Sequence, residues 1–152
     1  MRSARPVLAV LATAVLATAA LVVFATPAVA NPATTGGPFT PVVALTDGPC
    51  VAYVDTAVTG DAYPEHAAFT VAATLVGVGP CALPVTLTWR NVDTGETGVV
   101  TKTARGPGYW STSGRDALFH AGIGRFDGTV TIGPAHLPEP GTVDFTVTRY
   151  QG

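Results

Sequence analysis

The clearest regularity in the chain is a two-residue alternation of apolar and polar positions, recurring from about residue 39 to the end. In residues 83–92, LPVTLTWRNV, Leu83, Val85, Leu87 and Trp89 alternate with Pro84, Thr86, Thr88 and Arg90. Successive side chains of a β-strand point to opposite faces, so strict alternation predicts one buried face and one solvated face. Residues 142–150, TVDFTVTRY, repeat the pattern with Val143, Phe145 and Val147 inward. Residues 67–76 offer Phe69, Val71, Ala73 and Leu75, and residues 128–133 offer Val130 and Ile132. Residues 50–59 are β-branched but fit either face. Residues 97–103 and 39–45 are weaker segments, and 118–123 reads as a short strand or an irregular crossing. No window after residue 30 holds a 3.6-residue apolar period, and Gly or Pro interrupts most candidates. Seven to eight short strands at roughly 10–15-residue spacing, joined by Gly, Pro and Asp turns, predict an all-β antiparallel sandwich.

The first 30 residues break this pattern. Arg2 and Arg5 precede an uncharged run of mostly Ala, Val and Leu, and Ala28-Val29-Ala30 follows Pro27. That layout predicts a signal peptide helix cleaved after Ala30, and therefore a secreted or cell-envelope protein. The apolar run is also near the length of a bilayer span, so an uncleaved anchor is the alternative, and membrane contact is expected only through it. Residues 31–41, NPATTGGPFTP, read as a flexible N-terminal arm. The sandwich domain is then 42–152.

Charge and cysteine usage narrow the function classes. Six of the eight basic residues and all ten acidic ones lie beyond residue 30, which leaves that part with a net charge of −4. It has no basic patch, so nucleic acid is not an expected partner, because phosphate neutralisation supplies most of that affinity. The only two cysteines, Cys50 and Cys81, read as one disulfide in an exported protein. If strands beginning near Cys50, Ala67 and Leu83 run up, down and up, both cysteines fall at one end, within bridging distance. Two distant cysteines do not make a zinc site.

The chain resembles small secreted immunoglobulin-like β-sandwich proteins of bacteria. The resemblance rests on PVTLTWRNVDTGETG, a Trp-bearing strand followed by a tight turn, and on the closing GTVDFTVTRY, and it covers about residues 39–152. It implies an immunoglobulin-like fold but no particular function, since that architecture hosts many. The expected Cys50–Cys81 bridge differs from the mid-strand inter-sheet disulfide of immunoglobulins.

Four features are candidates for chemistry. Asp93-Thr94-Gly95 is the tripeptide that carries the catalytic carboxylate of aspartic proteases, where two copies share a proton across a dyad. This chain has one copy, followed by Glu96, and it lies between two extended runs. The stretch therefore reads as a hairpin turn, with Gly95 free to take a positive φ. His66, His120 and His136 are too far apart in sequence to form a helical or strand metal pair, and Glu65 beside His66 would point to the opposite face. No metal or cofactor site is expected. There is no G-x-S-x-G elbow for a Ser-His-Asp arrangement. The remaining stretch is residues 105–116, RGPGYWSTSGRD, read as a long loop with adjacent aromatics. Tyr109 and Trp110, flanked by Arg105 and Arg115, form the candidate binding surface for a protein or glycan partner. The competing reading folds Trp110 back as a plug for the sandwich. The expected function is a non-enzymatic, extracytoplasmic binding or structural module. The alternatives are an inert envelope protein and a small extracellular hydrolase.

Overall fold

Over the described residues, alternation becomes eleven strands in two antiparallel sheets. The computed structural model describes residues 35–133 and 135–150; the predicted signal segment, 1–30, and the start of the arm, 31–34, lie outside them. In chain order the strands are β1 (Gly36–Pro38), β2 (Val42–Leu45), β3 (Cys50–Tyr63), β4 (His66–Gly77), β5 (Cys81–Asn91), β6 (Thr97–Gly106), β7 (Gly108–Ser111), β8 (Leu118–His120), β9 (Gly124–Ile132), β10 (His136–Leu137) and β11 (Thr142–Val147). A 3₁₀ turn, Gly114–Ala117, precedes β8. The larger sheet has the order β10-β2-β3-β4-β7, with β1 also paired to β3 and β8 to β4. The smaller sheet is β11-β9-β5-β6.

The inward faces are the predicted ones. Leu83, Val85, Leu87 and Trp89 of β5 are buried, as are Phe69, Val71, Ala73 and Leu75 of β4, Val130 and Ile132 of β9, and Phe145 and Val147 of β11. An aromatic group sits at the centre of this core. Phe126 stacks on Phe145 with ring centroids 5.0 Å apart, and Trp89 meets Phe126 edge-on at 5.6 Å. Trp89 fits because its cross-strand neighbour in β6 is Gly98. A Cβ at Gly98 would overlap the indole ring.

Three expectations are corrected. Eleven strands replace seven or eight, because the short pairings β1, β7 and β10 carry no alternation long enough to read. The described part of the expected flexible arm, from residue 35 onward, is instead part of the sandwich. Gly36–Pro38 pairs with β3, Phe39 is buried, and the Thr35 hydroxyl donates to the Thr146 carbonyl at 2.6 Å while accepting from the Thr146 N–H at 2.9 Å. Its Gly and Pro residues shorten the strand without freeing the chain. Finally, the strands from Cys50, Ala67 and Leu83, expected to run up, down and up in succession, do not share one sheet. The chain crosses to the smaller sheet between β4 and β5.

The two cysteines do meet at one end of the sandwich. Cys50 opens β3 and Cys81 opens β5, with Cα atoms 6.0 Å apart and a disulfide between them. Because β3 and β5 belong to different sheets, the bridge staples the larger sheet to the smaller. It closes a segment with a sequence separation of 31. Loop-closure entropy for that length corresponds to about 3–4 kcal/mol. A Cys50→Ala/Cys81→Ala double variant is expected to lose about that stability in urea titration, with an unchanged far-ultraviolet spectrum in water.

Candidate functional site

The stretch NVDTGETG is the hairpin between β5 and β6. Gly95 has φ +80° and its N–H donates to the Asn91 carbonyl. The turn is organised by Asn91, which is buried: its Oδ1 accepts from the N–H groups of Asp93 (2.9 Å) and Thr94 (3.1 Å), and its Nδ2 donates to the Ile123 carbonyl (3.2 Å). Asp93 faces solvent and binds Arg125 of β9. Arg125 Nη2 and Nε donate to Oδ1 at 2.6 and 3.2 Å, and the Arg125 backbone N–H donates to Oδ2 at 3.1 Å. The side-chain hydrogen bonds from Arg125, then the backbone one, hold the Asp93 carboxyl below its ordinary value and raise the Arg125 guanidinium above its own.

Two of the histidines, distant in sequence, are neighbours in the sheet. His66 and His120 are directly opposed across β4 and β8, with ring centroids 5.2 Å apart, edge to face. Pairing between distant strands makes a neighbour that spacing along one strand does not reveal. His66 Nδ1 lies 2.7 Å from the Pro64 carbonyl. Glu65 sits in the turn before β4 with φ +61°, so it does not follow strand alternation, and its carboxylate reaches to 3.7 Å from His120 Nε2. His136 faces Glu139 at 3.3 Å. Among the described residues no group of three or more His, Cys, Asp or Glu is arranged to hold a metal ion. Beside the His66 end an open cleft of about 1100 Å³ lies between Tyr63, Pro64, Arg149 and Tyr150. The one acid lining it, Asp61, is already bound to the Thr148 N–H (2.6 Å) and hydroxyl (3.1 Å).

Residues 105–116 are not a long loop. Arg105 and Gly106 finish β6, residues 108–111 form β7, and 114–117 make the 3₁₀ turn. The chain leaves the smaller sheet at Gly106, which pairs with Cys81, and joins the larger one at Gly108, which pairs with Leu75. A Gly-Pro-Gly corner looks like a loop in sequence but only redirects an extended chain. This disperses the four expected contact residues. Trp110 pairs with buried Ala73 and packs, partly buried, against the core. Tyr109 pairs with Thr74 and points outward, 72% exposed. Arg105 pairs with Ala82 on the outer side of the smaller sheet, and Arg115 is exposed in the 3₁₀ turn.

Tyr109 instead joins a surface that no single sequence window contains. The pair register aligns Leu137, Val43, Tyr53, Thr74 and Tyr109 in one row across β10, β2, β3, β4 and β7. Directly opposed residues of antiparallel strands project from the same face. A second row, Leu45, Val51 and Val76, lies beside it toward the disulfide end. All seven large apolar residues of the two rows are exposed, with Leu137 at 77% and Tyr53 at 56%. No charged residue interrupts them. The next row, Asp55, Ala72 and Ser111, ends the apolar area. Four strand spacings make the long row about 19 Å wide.

The outer face of the smaller sheet is the internal control. Its rows read Thr101, Thr86, Thr131, then Val99, Thr88, Thr129, Thr142, then Thr97, Arg90, Asp127, Asp144. Threonine hydroxyls join neighbours, with Thr86 and Thr101 2.9 Å apart. That is the solvated face an antiparallel sandwich ordinarily presents. The larger sheet has the composition of a covered face. Comparison of the chain with protein-family models, curated proteins and solved structures found no match.

The Asp93–Arg125 pair has a pH signature. Since the folded-state value of Asp93 is depressed, its contribution to stability is present above the unfolded carboxylate value of about 4 and is lost as pH falls through the lower folded value. Carbon-13 NMR titration should find Asp93 titrating below that ordinary value, and Arg125→Ala should move its midpoint up. An unmoved midpoint would mean that the guanidinium does not hold the carboxylate.

Proposed function

We propose that the protein is an extracytoplasmic, non-enzymatic binding or structural module whose contact surface is the outer face of the larger sheet. The observation that carries this reading is the uncharged row from Leu137 to Tyr109, on a face that should otherwise be polar. Contiguous exposed apolar surface of this kind marks interaction sites in soluble domains. The face is built on paired strands and stapled at its end, so little backbone freedom is lost on contact. The inert-envelope alternative has no use for such a face.

Export is part of the same proposal. The disulfide fits an oxidising compartment, and the predicted signal segment supplies the route. The immunoglobulin-like resemblance is supported by the smaller sheet, whose order β11-β9-β5-β6 parallels the G-F-C-C′ order of that fold. The hydrolase alternative has its best support in Glu65 and His120, which approach each other near the open cleft. Both side chains are more than half exposed, at 57% and 65%, so the site lacks the water-excluding walls that strengthen acid–base chemistry.

The test is cross-linked capture from the producing cell's envelope and secreted fractions. The bait is the exported protein, produced from the full-length sequence, with a Tyr53→Asp/Tyr109→Ala variant alongside. Both side chains point outward, so the variant is expected to fold, which circular dichroism checks. A species captured by the wild type, whether another protein or a second copy, and reduced at least tenfold with the folded variant is the expected result. Equal capture by both would move the site elsewhere, and turnover of ester, peptide or glycoside substrates that His120→Ala abolishes would favour the hydrolase.

A further inference from the structure

We infer that the outer face of the larger sheet packs against the same face of a second copy, forming a two-fold dimer. The inference rests on the reading that this face is the contact surface, and it names the occupant.

Area is the first argument. The exposed fractions of the seven apolar side chains leave on the order of 800 Å² accessible, about what one partner contributes to a stable interface of standard size. Charge is the second. Beyond residue 30 the chain is acidic, with a net charge of −4, so two copies of the exported protein repel at long range. Within the two apolar rows there is no charge to repel, and none to demand an oppositely charged partner. A neutral apolar face of an acidic protein is complementary to itself. Shape is the third. Two sheet faces pack about 10 Å apart with their strands nearly aligned, side chains of one fitting between those of the other. Tyr53 stands on β3, the middle strand of the five-strand order. A two-fold axis crossing β3 at Ala52, between the two rows, lays Val43 and Tyr53 of one copy over Leu45 and Val51 of the other and leaves Asp55 at the rim. The interface is then isologous and closed, with no free apolar face left to propagate a fibre.

Sedimentation velocity of the exported protein between about 1 and 100 μM tests this. The expected result is a twofold mass, maintained or strengthened as salt screens the net negative charges. Tyr53→Asp should weaken the dimer at least tenfold, and Val76→Asp, in the second row, should do the same should the first variant fold poorly. Val99→Asp, at the exposed apolar position in the smaller sheet's outer rows, should leave it unchanged. A wild type that stays monomeric to 100 μM overturns the proposal. So does a dimer that persists in both face variants, one that Val99→Asp disrupts equally, or one that salt dissociates. A monomeric wild type whose captured partner is lost with the Tyr53→Asp/Tyr109→Ala variant would sink the dimer and keep the binding module. Loss of both results would sink both readings.

Discussion

The register of β3 is the constraint on which the rest of the structure depends. This strand pairs with β1, β2 and β4, so its inward set decides the inward sets of the larger sheet. Cys50, Ala52, Val54, Thr56 and Val58 face the core, while Val51, Tyr53 and Asp55 face out. A one-residue slip would exchange the two sets, as period-two geometry requires. Hydrophobicity alone opposes that slip weakly, because Val51 and Tyr53 are as apolar as their neighbours. Two other terms decide it. The slip would bury the Asp55 carboxylate without a counter-charge, a large penalty. It would also turn the Cys50 sulfur away from Cys81 and forfeit the bridge. The disulfide thus selects which of two apolar faces looks inward, besides restricting the unfolded chain.

That selection leaves an apolar face outside, and the proposed function rests on that leftover face. The smaller sheet solves the ordinary problem in the ordinary way, with threonine and charge outward and a phenylalanine stack inward. The larger sheet does not. Its outer rows resemble the inside of a sandwich, and their cost in water is offset only when something covers them. Their position matters too. Rows two residues apart at the stapled end of paired strands are held by ladder hydrogen bonds, whereas a loop of equal composition would have to be ordered on contact.

The fold was largely legible in the chain because burial and periodicity report the same thing in a sandwich. β5 and β11 alternate strictly, so their inward residues could be named in advance. Shorter elements were not legible. β7 and β10 are four and two residues long, too few for a period to emerge, and β7 is announced by Gly-Pro-Gly, which reads as a loop. The arm misled in the same way: its Gly and Pro composition signals freedom, but the buried Phe39 ties it down. The Asp-Thr-Gly turn was readable from its flanks. The buried Asn91 that organises it was not, since Asn in a turn carries no mark of burial.

The exposed apolar face was less legible than the fold for a physical reason that also contains its signal. Val43 and Leu137 are neighbours across a ladder yet distant in sequence, as are His66 and His120. In an antiparallel sandwich a surface is a row across strands, so its residues are scattered, and a search for aromatics within one window finds only Tyr109. What the sequence did carry was the ambiguity of residues 50–59, which fitted either face. A strand of an antiparallel sheet that is apolar on both sides is not a weak prediction of burial. On the function proposed above, both faces are covered, one by the opposite sheet and the other by a surface that the folded domain does not itself provide.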